Sequence, residues 1–110
     1  MEFRVKANLT ALCVQKWLAT ERARCMDLVV GVERTLRELL SPTKVNLASL
    51  GNMVPHLHWH VIARFDWDGR FPAPVWAAAQ RPPDAGRIAA VVAVRASLEE
   101  ALAQALAATP

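Results

Sequence analysis

One stretch constrains this chain more than any other: in residues 56–62, three histidines alternate with large apolar residues. The histidines of the chain all stand here: His56, His58 and His60. Side chains in a β-strand point alternately to opposite faces, and each residue advances the strand by roughly 3.3 Å. The imidazoles would therefore share one face at intervals of about 7 Å, whereas a helix would distribute them around its circumference. The other face would pack on a core through Leu57, Trp59 and Val61.

Composition and charge indicate one small domain spanning residues 1–110 rather than a disordered chain. The chain is 54% hydrophobic and 21% charged, and its formal charge is +3. It has no basic run, so a nucleic-acid groove binder is not indicated, while a mild positive balance suits small phosphorylated ligands. A domain of this size buries a thin core, which favours pairing with a partner subunit.

Neither a membrane span nor an export signal is evident in the sequence. No apolar run is long enough to cross a bilayer, and the apolar stretch near the start is interrupted by Gln15 and Lys16. Cys13 and Cys25 lack the spacing of metal or redox sites. We therefore expect a reduced, cytoplasmic protein that does not associate with membranes.

The segment before the histidines predicts an edge strand and then a helix. Apolar and basic residues alternate near the start of residues 1–18, which is typical of an edge strand. Thr20 is the expected helix N-cap, and the helix should end at Ser41, because a residue before proline avoids helical geometry. Glu33 and Arg37 should pair across one helical turn. The predicted apolar stripe is Met26, Val29, Val30, Leu36, Leu39 and Leu40.

Residues 44–50 predict a second strand, antiparallel to the histidine strand. A turn at Gly51 and Asn52 would join the two strands. Alternation then places Asn46 on the face that lies beside the histidines, although a sequence does not fix the register of the pair.

The stretch after the histidines predicts an arm rich in proline and tryptophan. Two prolines in residues 71–76 favour an extended segment over a helix or an inner strand. Three tryptophans fall within or after the histidine stretch: Trp59, Trp67 and Trp76. Each is expected to pack in the thin core rather than to stack on a base, because an aromatic ring buries a large area.

The C-terminal part, residues 84–108, is rich in alanine and predicts helix. Ser97 and the glutamates that follow it have the form of a capping box, which predicts the start of a second helix there. A strand over residues 90–94 is the alternative.

Three uses of the alternating histidines follow from imidazole chemistry. Two imidazoles can share one zinc ion, but the outer pair would lie about 13 Å apart and no fourth ligand stands nearby. A neutral imidazole is also a good nucleophile near pH 7, so the central His58 could attack phosphorus while its neighbours hold the phosphate and the leaving group. The third hypothesis is that the three histidines are hydrogen-bonded on a solvated sheet face and have no chemical role. The strict alternation favours catalysis over this third hypothesis.

Residues 56–62 resemble the signature of the histidine-triad family, in which three histidines alternate with apolar residues. The flanks are similar too. Residues 44–55 resemble the strand and loop before that signature, and residues 63–76 look like the tail of a bacterial branch similar to diadenosine-tetraphosphate hydrolases. The resemblance is best over residues 20–76.

The resemblance implies an α+β fold, with an antiparallel sheet, flanking helices and usually a homodimer. It implies a nucleotide hydrolase or nucleotidyl transferase in which His58 attacks the α-phosphate and forms a covalent nucleotidyl-histidine. His60 would contact the phosphate and the leaving group, and His56 would support the site by hydrogen bonding.

The resemblance also implies a phosphate-binding set outside the histidines. Asn46 would help to position the site near the phosphate, and Gly51 and Asn52 would donate to phosphate oxygens. The mechanism requires neither metal nor cofactor. The expected partner is a nucleotide or a dinucleoside polyphosphate.

Two departures from the family pattern affect these expectations. The N-terminal strands are expected to be incomplete, because residues 1–18 are short and irregular. Met53 stands where many members carry a small hydroxyl residue. A dimeric family remnant without catalysis is therefore the alternative to an enzyme, and a zinc hydrolase is the third hypothesis.

Overall fold

The computed structural model describes residues 2–6, 19–50 and 57–108. Its elements are, in chain order, β1 (Glu2–Lys6), α1 (Ala19–Leu40), β2 (Lys44–Ala48), β3 (His58–Arg64), α2 (Ala85–Ala93) and α3 (Arg95–Ala108). An antiparallel sheet with flanking helices confirms the α+β class. Within these ranges, no helix has the length and apolar character needed to cross a bilayer.

The histidine strand β3 is the middle strand of the described sheet, which has the order β1-β3-β2. Both neighbours are antiparallel to it, so the predicted pairing with residues 44–50 is confirmed. Asn46 lies opposite Ile62, and Ala48 lies opposite His60. Opposed residues of an antiparallel pair share a face. The register therefore puts Asn46 on the histidine face, as predicted.

The edge strand predicted near the start is confirmed by β1, which pairs directly with the histidine strand. Arg4 lies opposite His60, and Lys6 lies opposite His58. One N-terminal strand is therefore present, whereas residues 7–18 lie outside the described part of the chain.

The core lies on the face of β3 opposite the histidines. Val61, Ala63 and Phe65 are buried there against residues of α1 and α3. Trp59 packs against the same cluster, as its place in the alternation predicted. This burial fixes which face of β3 points away from the core, because a slip of one residue would exchange the two faces.

Helix α1 buries a different stripe from the one predicted. Met26, Val30 and Leu39 are exposed. The buried apolar positions are Val29, Val32 and Leu36, with Leu40 packed against them. Their spacing of three and four residues keeps them on one narrow face. The helix has enough apolar residues to form two different apolar stripes. Contact with Val61 and Leu98 determines which of the two is buried.

The ends of α1 were predicted with mixed success. Thr20 lies inside the helix, which already includes Ala19, so its assignment as N-cap is wrong. The C-terminal end is confirmed: the helix stops at Leu40, and the N–H of Ser41 donates to the Arg37 carbonyl oxygen at 3.1 Å. Ser41 has a φ of 45°, the left-handed geometry in which many helices terminate. Arg37 also forms the predicted ion pair with Glu33, at 2.8 Å.

The C-terminal region is helical, as predicted, and the alternative strand over residues 90–94 is wrong. The Asp84 side chain caps α2 by accepting from the N–H of Arg87 at 3.0 Å. The predicted start at Ser97 is also wrong. The Leu98 N–H donates to the Val94 carbonyl oxygen at 2.9 Å, so helical hydrogen bonding has begun before Ser97. Leu98 is fully buried, and it attaches α3 to the core.

Replacement of Trp59 by alanine should destabilise the protein by about 3 kcal/mol, because a large aromatic side chain is removed from the edge of the core. The matched control is Trp76→Ala: its side chain is 64% exposed, so its loss should change the free energy of unfolding by less than about 0.5 kcal/mol. Chemical denaturation measures both. Equal effects of the two variants would contradict the assignment of Trp59 to the core face.

Candidate active site

Two of the predicted catalytic histidines lie side by side on β3. The ring centroids of His58 and His60 are 5.3 Å apart, and the ring planes are inclined at 67°. Both side chains are half-buried, while Val61 between the sheet and α1 is fully buried. The separation lets both imidazoles contact one phosphoryl group, since each reaches roughly 3 Å by a hydrogen bond.

Three predicted site residues lie outside the described part of the chain. They are His56, Gly51 and Asn52. Their assigned roles therefore stay predictions. The site is described from the side of β2 and β3, where Asn46, His58 and His60 are placed.

Asn46 is held by a hydrogen bond that determines which way its amide points. Its Oδ1 accepts from Nη1 of Arg64 at 2.9 Å. A guanidinium only donates, so the atom facing it must be the amide oxygen. The amide NH₂ group of Asn46 is thereby turned away from Arg64, and it supplies two donors on the histidine face. Such donors suit the oxygens of a phosphate.

Arg64 is the site residue that sequence reasoning missed. It is 2% exposed, and it lies on the same face of β3 as His58 and His60. Its Nε and Nη2 donate to the two carboxylate oxygens of Asp68 at 2.9 and 3.1 Å. Nη2 also donates to the carbonyl oxygen of Ala73 at 2.8 Å. One buried guanidinium thus ties β2, the turn after β3 and the proline arm together.

A signal for Arg64 existed in the sequence, but it was incomplete. Alternation continues the histidine face through Ile62 to Arg64, and Asp68 follows four residues later. That spacing predicts an ion pair only within a helix, whereas here the chain turns back after Phe65. A charged residue is rarely buried unless it is paired. The pairing of Arg64 with Asp68 depends on the turn after Phe65, which the local pattern did not predict.

Asp68 organises the turn after β3. Its carboxylate accepts from the backbone N–H groups of Phe65, Arg70 and Phe71, as well as from Arg64. Partial burial raises the pKa of Asp68. The hydrogen bonds from Arg64 and the backbone, together with the charge of Arg64, outweigh that effect and lower the pKa from 3.8 to about 2. The carboxylate is therefore ionised throughout the neutral range.

Asp68 should make stability fall in acid. Because its folded pKa is lowered from 3.8 to about 2, its contribution is complete above about pH 4 and is lost as the pH falls towards 2. The lost contribution is about 2 kcal/mol. We expect Asp68→Asn to be less stable than the unchanged protein at pH 6, with the difference shrinking at pH 2.5 in urea unfolding. Glu99→Gln, in an exposed pair, is the control. If the stability difference between Asp68→Asn and the unchanged protein were the same at both pH values, ionisation of Asp68 would not be its cause.

The proline arm is neither helix nor strand, as expected, but it forms turns rather than an extended segment. It bounds a cavity of about 430 Å³ on the histidine face. Its lining includes Asn46, Ala48, Ile62, Pro72, Pro74 and Trp76. The cavity therefore starts one alternation step beyond His60 along β3.

The three tryptophans differ in how far their side chains are packed. Trp59 packs on the core, and Trp67 stacks on Phe65 with ring centroids 4.8 Å apart, so the packing prediction is confirmed for both. Trp76 is 64% exposed, so the same prediction is wrong for it. Its side chain lies at the rim of the cavity on the histidine face.

A second cavity, of about 500 Å³, lies between the turn after β3 and α2. Trp67, Ile88, Val91 and Val92 contribute to its largely apolar lining. Neither His58 nor His60 lines either cavity, and Ile62 lines both. The smaller cavity also contains Asn46 and Ala48, which lie opposite Ile62 and His60, so it is the one that adjoins the histidine face.

A metal site and a reactive thiol are the other chemistries to consider among the described residues. Within residues 19–50 and 57–108, no group of three or more His, Cys, Asp or Glu side chains is arranged to hold a metal ion. Burial raises the pKa of the Cys25 thiol, and the neighbouring Trp59 indole opposes that effect in part. A thiol kept neutral on the core side of the sheet is a poor nucleophile.

Comparison with known proteins agrees with this geometry. A family model described as HIT domain matches residues 6–67. A histidine triad protein from Bradyrhizobium japonicum is 29% identical with a TM-score of 0.70, over 92% of this chain and 75% of that chain. One from Marinobacter aquaeolei VT8 is 28% identical with a TM-score of 0.65, over 90% and 74%. One from Sinorhizobium meliloti 1021 is 27% identical with a TM-score of 0.60, over 86% and 67%.

No curated protein gives a significant match to the chain. The family model, however, extends over more than half of the chain, and it spans both strands that carry Asn46, His58 and His60. The sequence motif, the sheet and the solved relatives agree, and the chain belongs to the HIT domain family, the family of the histidine triad.

Proposed function

We propose that this protein is a nucleotide phosphohydrolase or nucleotidyl transferase that works through a covalent nucleotidyl-histidine. The observation that carries the proposal is the pairing of His58 and His60, 5.3 Å apart, on the face of the sheet to which β2 contributes the Asn46 side chain. Membership of the family supports it, because that family is one of nucleotide hydrolases and transferases. A dinucleoside polyphosphate is the proposed substrate class.

His58 acts as the nucleophile in this proposal. A ring nitrogen of the neutral imidazole forms a bond to the α-phosphorus, while the bond from phosphorus to the bridging oxygen breaks. The leaving group departs with that electron pair. Water then attacks the same phosphorus, the phosphorus–nitrogen bond breaks, and His58 is released together with a nucleoside monophosphate. A nucleotidyl transferase would use another acceptor in place of water.

The neighbouring residues hold the phosphate through both steps. His60 contacts the phosphate and the leaving group, and the amide NH₂ of Asn46, which lies opposite Ile62, donates to an oxygen farther along the phosphate chain. His56, Gly51 and Asn52 complete the set, His56 by hydrogen bonding and the loop residues as donors. Donors aimed at the developing charge stabilise the transition state more than the ground state. These steps need neither metal nor cofactor.

We also propose a cytoplasmic homodimer without a nucleic-acid partner. Helix α2 supports the dimer, because it buries none of its residues within the described chain and exposes Ile88 and Val92. Sedimentation of the purified protein measures its mass in solution. A monomer at micromolar concentration would contradict the dimer and leave the proposed chemistry unaffected.

Product analysis in heavy-oxygen water tests the activity. The protein is incubated with diadenosine tetraphosphate in ¹⁸O-labelled water. We expect AMP and ATP, with the label in AMP, because water attacks the phosphorus bonded to His58. Label in the ATP would place the attack at a different phosphorus. Absence of any turnover would favour a family remnant without catalysis.

A further inference from the structure

The cavity on the histidine face lies in line with the proposed reaction. His58, His60 and Ile62 follow one another on the same face of β3, at steps of about 7 Å. Ile62 is 2% exposed and borders the cavity. A group that leaves the phosphorus at His58 in the direction of His60 therefore arrives at this cavity next.

The size and lining of the cavity suit a flat, partly polar ring. Its volume is about 430 Å³, within the range of small-molecule sites. Ile62 and the prolines Pro72 and Pro74 contribute apolar surface, and Asn46 contributes a polar edge. The lining offers polar and apolar surface in similar measure, which suits a ring with apolar faces and polar edges.

Trp76 supplies the stacking surface at the rim. Its indole is 64% exposed, in contrast to the packed rings of Trp59 and Trp67. A nucleobase stacks on an exposed aromatic ring with little dependence on base identity, because each base has a π-face. An exposed indole beside a cavity of this size is therefore suited to stack on a nucleobase.

The arm that carries Trp76 is fastened on both sides. Arg64 donates to the Ala73 carbonyl oxygen at 2.8 Å, and Arg70 donates to the Ala77 carbonyl oxygen at 2.8 Å. The Ala77 N–H also donates to the Pro74 carbonyl oxygen at 2.9 Å and closes a turn around Trp76. A ring held on a fixed backbone loses less freedom when a ligand stacks on it.

We propose that this cavity is the leaving-group subsite, and that Trp76 stacks on the base of the nucleotide that departs. The assignment rests on the proposed function, which supplies the attack at His58. It selects, among nucleotide substrates, those whose leaving group itself ends in an aromatic base, such as dinucleoside polyphosphates.

Two substrates that differ only in the leaving group test the subsite. Diadenosine tetraphosphate releases ATP, whereas adenosine 5′-phosphoramidate releases ammonia, which is too small to reach Trp76. The measured quantity is the ratio of kcat/KM for the first substrate to kcat/KM for the second. In Trp76→Ala we expect this ratio to fall roughly tenfold or more, as for loss of one base–aromatic stack. Trp76→Phe keeps an aromatic face and should retain most of the ratio.

The possible results separate this inference from the proposed function. If Trp76→Ala turns over both substrates with an unchanged ratio of kcat/KM values, the subsite is contradicted and the proposed function is not. The same holds if Trp76→Phe lowers that ratio as much as Trp76→Ala does. Failure of the unchanged protein to turn over either substrate contradicts the proposed function, and the subsite with it. Competitive inhibition by ATP that weakens about tenfold in Trp76→Ala would support the subsite independently of the turnover ratio.

Discussion

Replacement of His58 by alanine is expected to lower kcat by several orders of magnitude while leaving the free energy of unfolding within about 0.5 kcal/mol. The rate falls because the variant has no imidazole to form the bond to phosphorus. The fold remains because His58 lies on the face of β3 opposite the core, where its neighbours Trp59 and Val61 provide the packing.

The matched control is His60→Ala, on the same face of the same strand. It should reduce turnover less, since His60 contacts the phosphate and the leaving group but forms no covalent bond in the mechanism. Steady-state kinetics and urea unfolding are measured on both variants. A His58→Ala protein that keeps more than a small fraction of activity would exclude His58 as the nucleophile, and one that unfolds readily would show a structural role instead.

Replacement of Arg64 by methionine is expected to cost about 3 kcal/mol of stability. Its loss leaves the Asp68 carboxylate without a charged partner, and it leaves the Ala73 carbonyl oxygen and Asn46 Oδ1 without their donor. Breaking a buried pair from one side is costly because the remaining group stays poorly solvated. Turnover should fall as well, since the Asn46 amide is no longer oriented.

Arg95→Met is the matched control for Arg64→Met. Arg95 and Glu99 have the same spacing of four residues, but their side chains are 67% and 56% exposed. Exposed pairs contribute little, so this variant should lose less than about 0.5 kcal/mol. The double variant Arg64→Met, Asp68→Asn should be destabilised by less than the sum of its single changes, because the two residues are in direct contact. Strict additivity would contradict the network.

Local periodicity was sufficient for the histidine strand and its partner. A period of two placed Trp59 on the core face and the histidines opposite, and the same period placed Asn46 beside them. Proline chemistry located the end of α1 at Leu40. These predictions succeeded because each depends on residues that are close in sequence.

The predictions that failed depended on contacts between distant parts of the chain. The buried stripe of α1 is selected by Val61 and Leu98, which lie far along the chain from Val29. Arg64 is buried because Asn46, 18 residues earlier, and Ala73, nine residues later, both accept from it. Trp76 stays exposed because the arm places it at the rim of the cavity on the histidine face and not in the core. No local pattern encodes these distances.

The central claim, covalent transfer through His58, is tested most directly by locating the nucleotidyl group on the chain. The protein is mixed with diadenosine tetraphosphate, quenched at alkaline pH because phosphorus–nitrogen bonds are labile in acid, and digested for peptide mass spectrometry. Covalent transfer through His58 predicts an added AMP group on the peptide that contains residues 56–62, assigned to His58 by fragmentation and missing in His58→Ala. An active protein that carries the group on His60 or on another residue would contradict this mechanism.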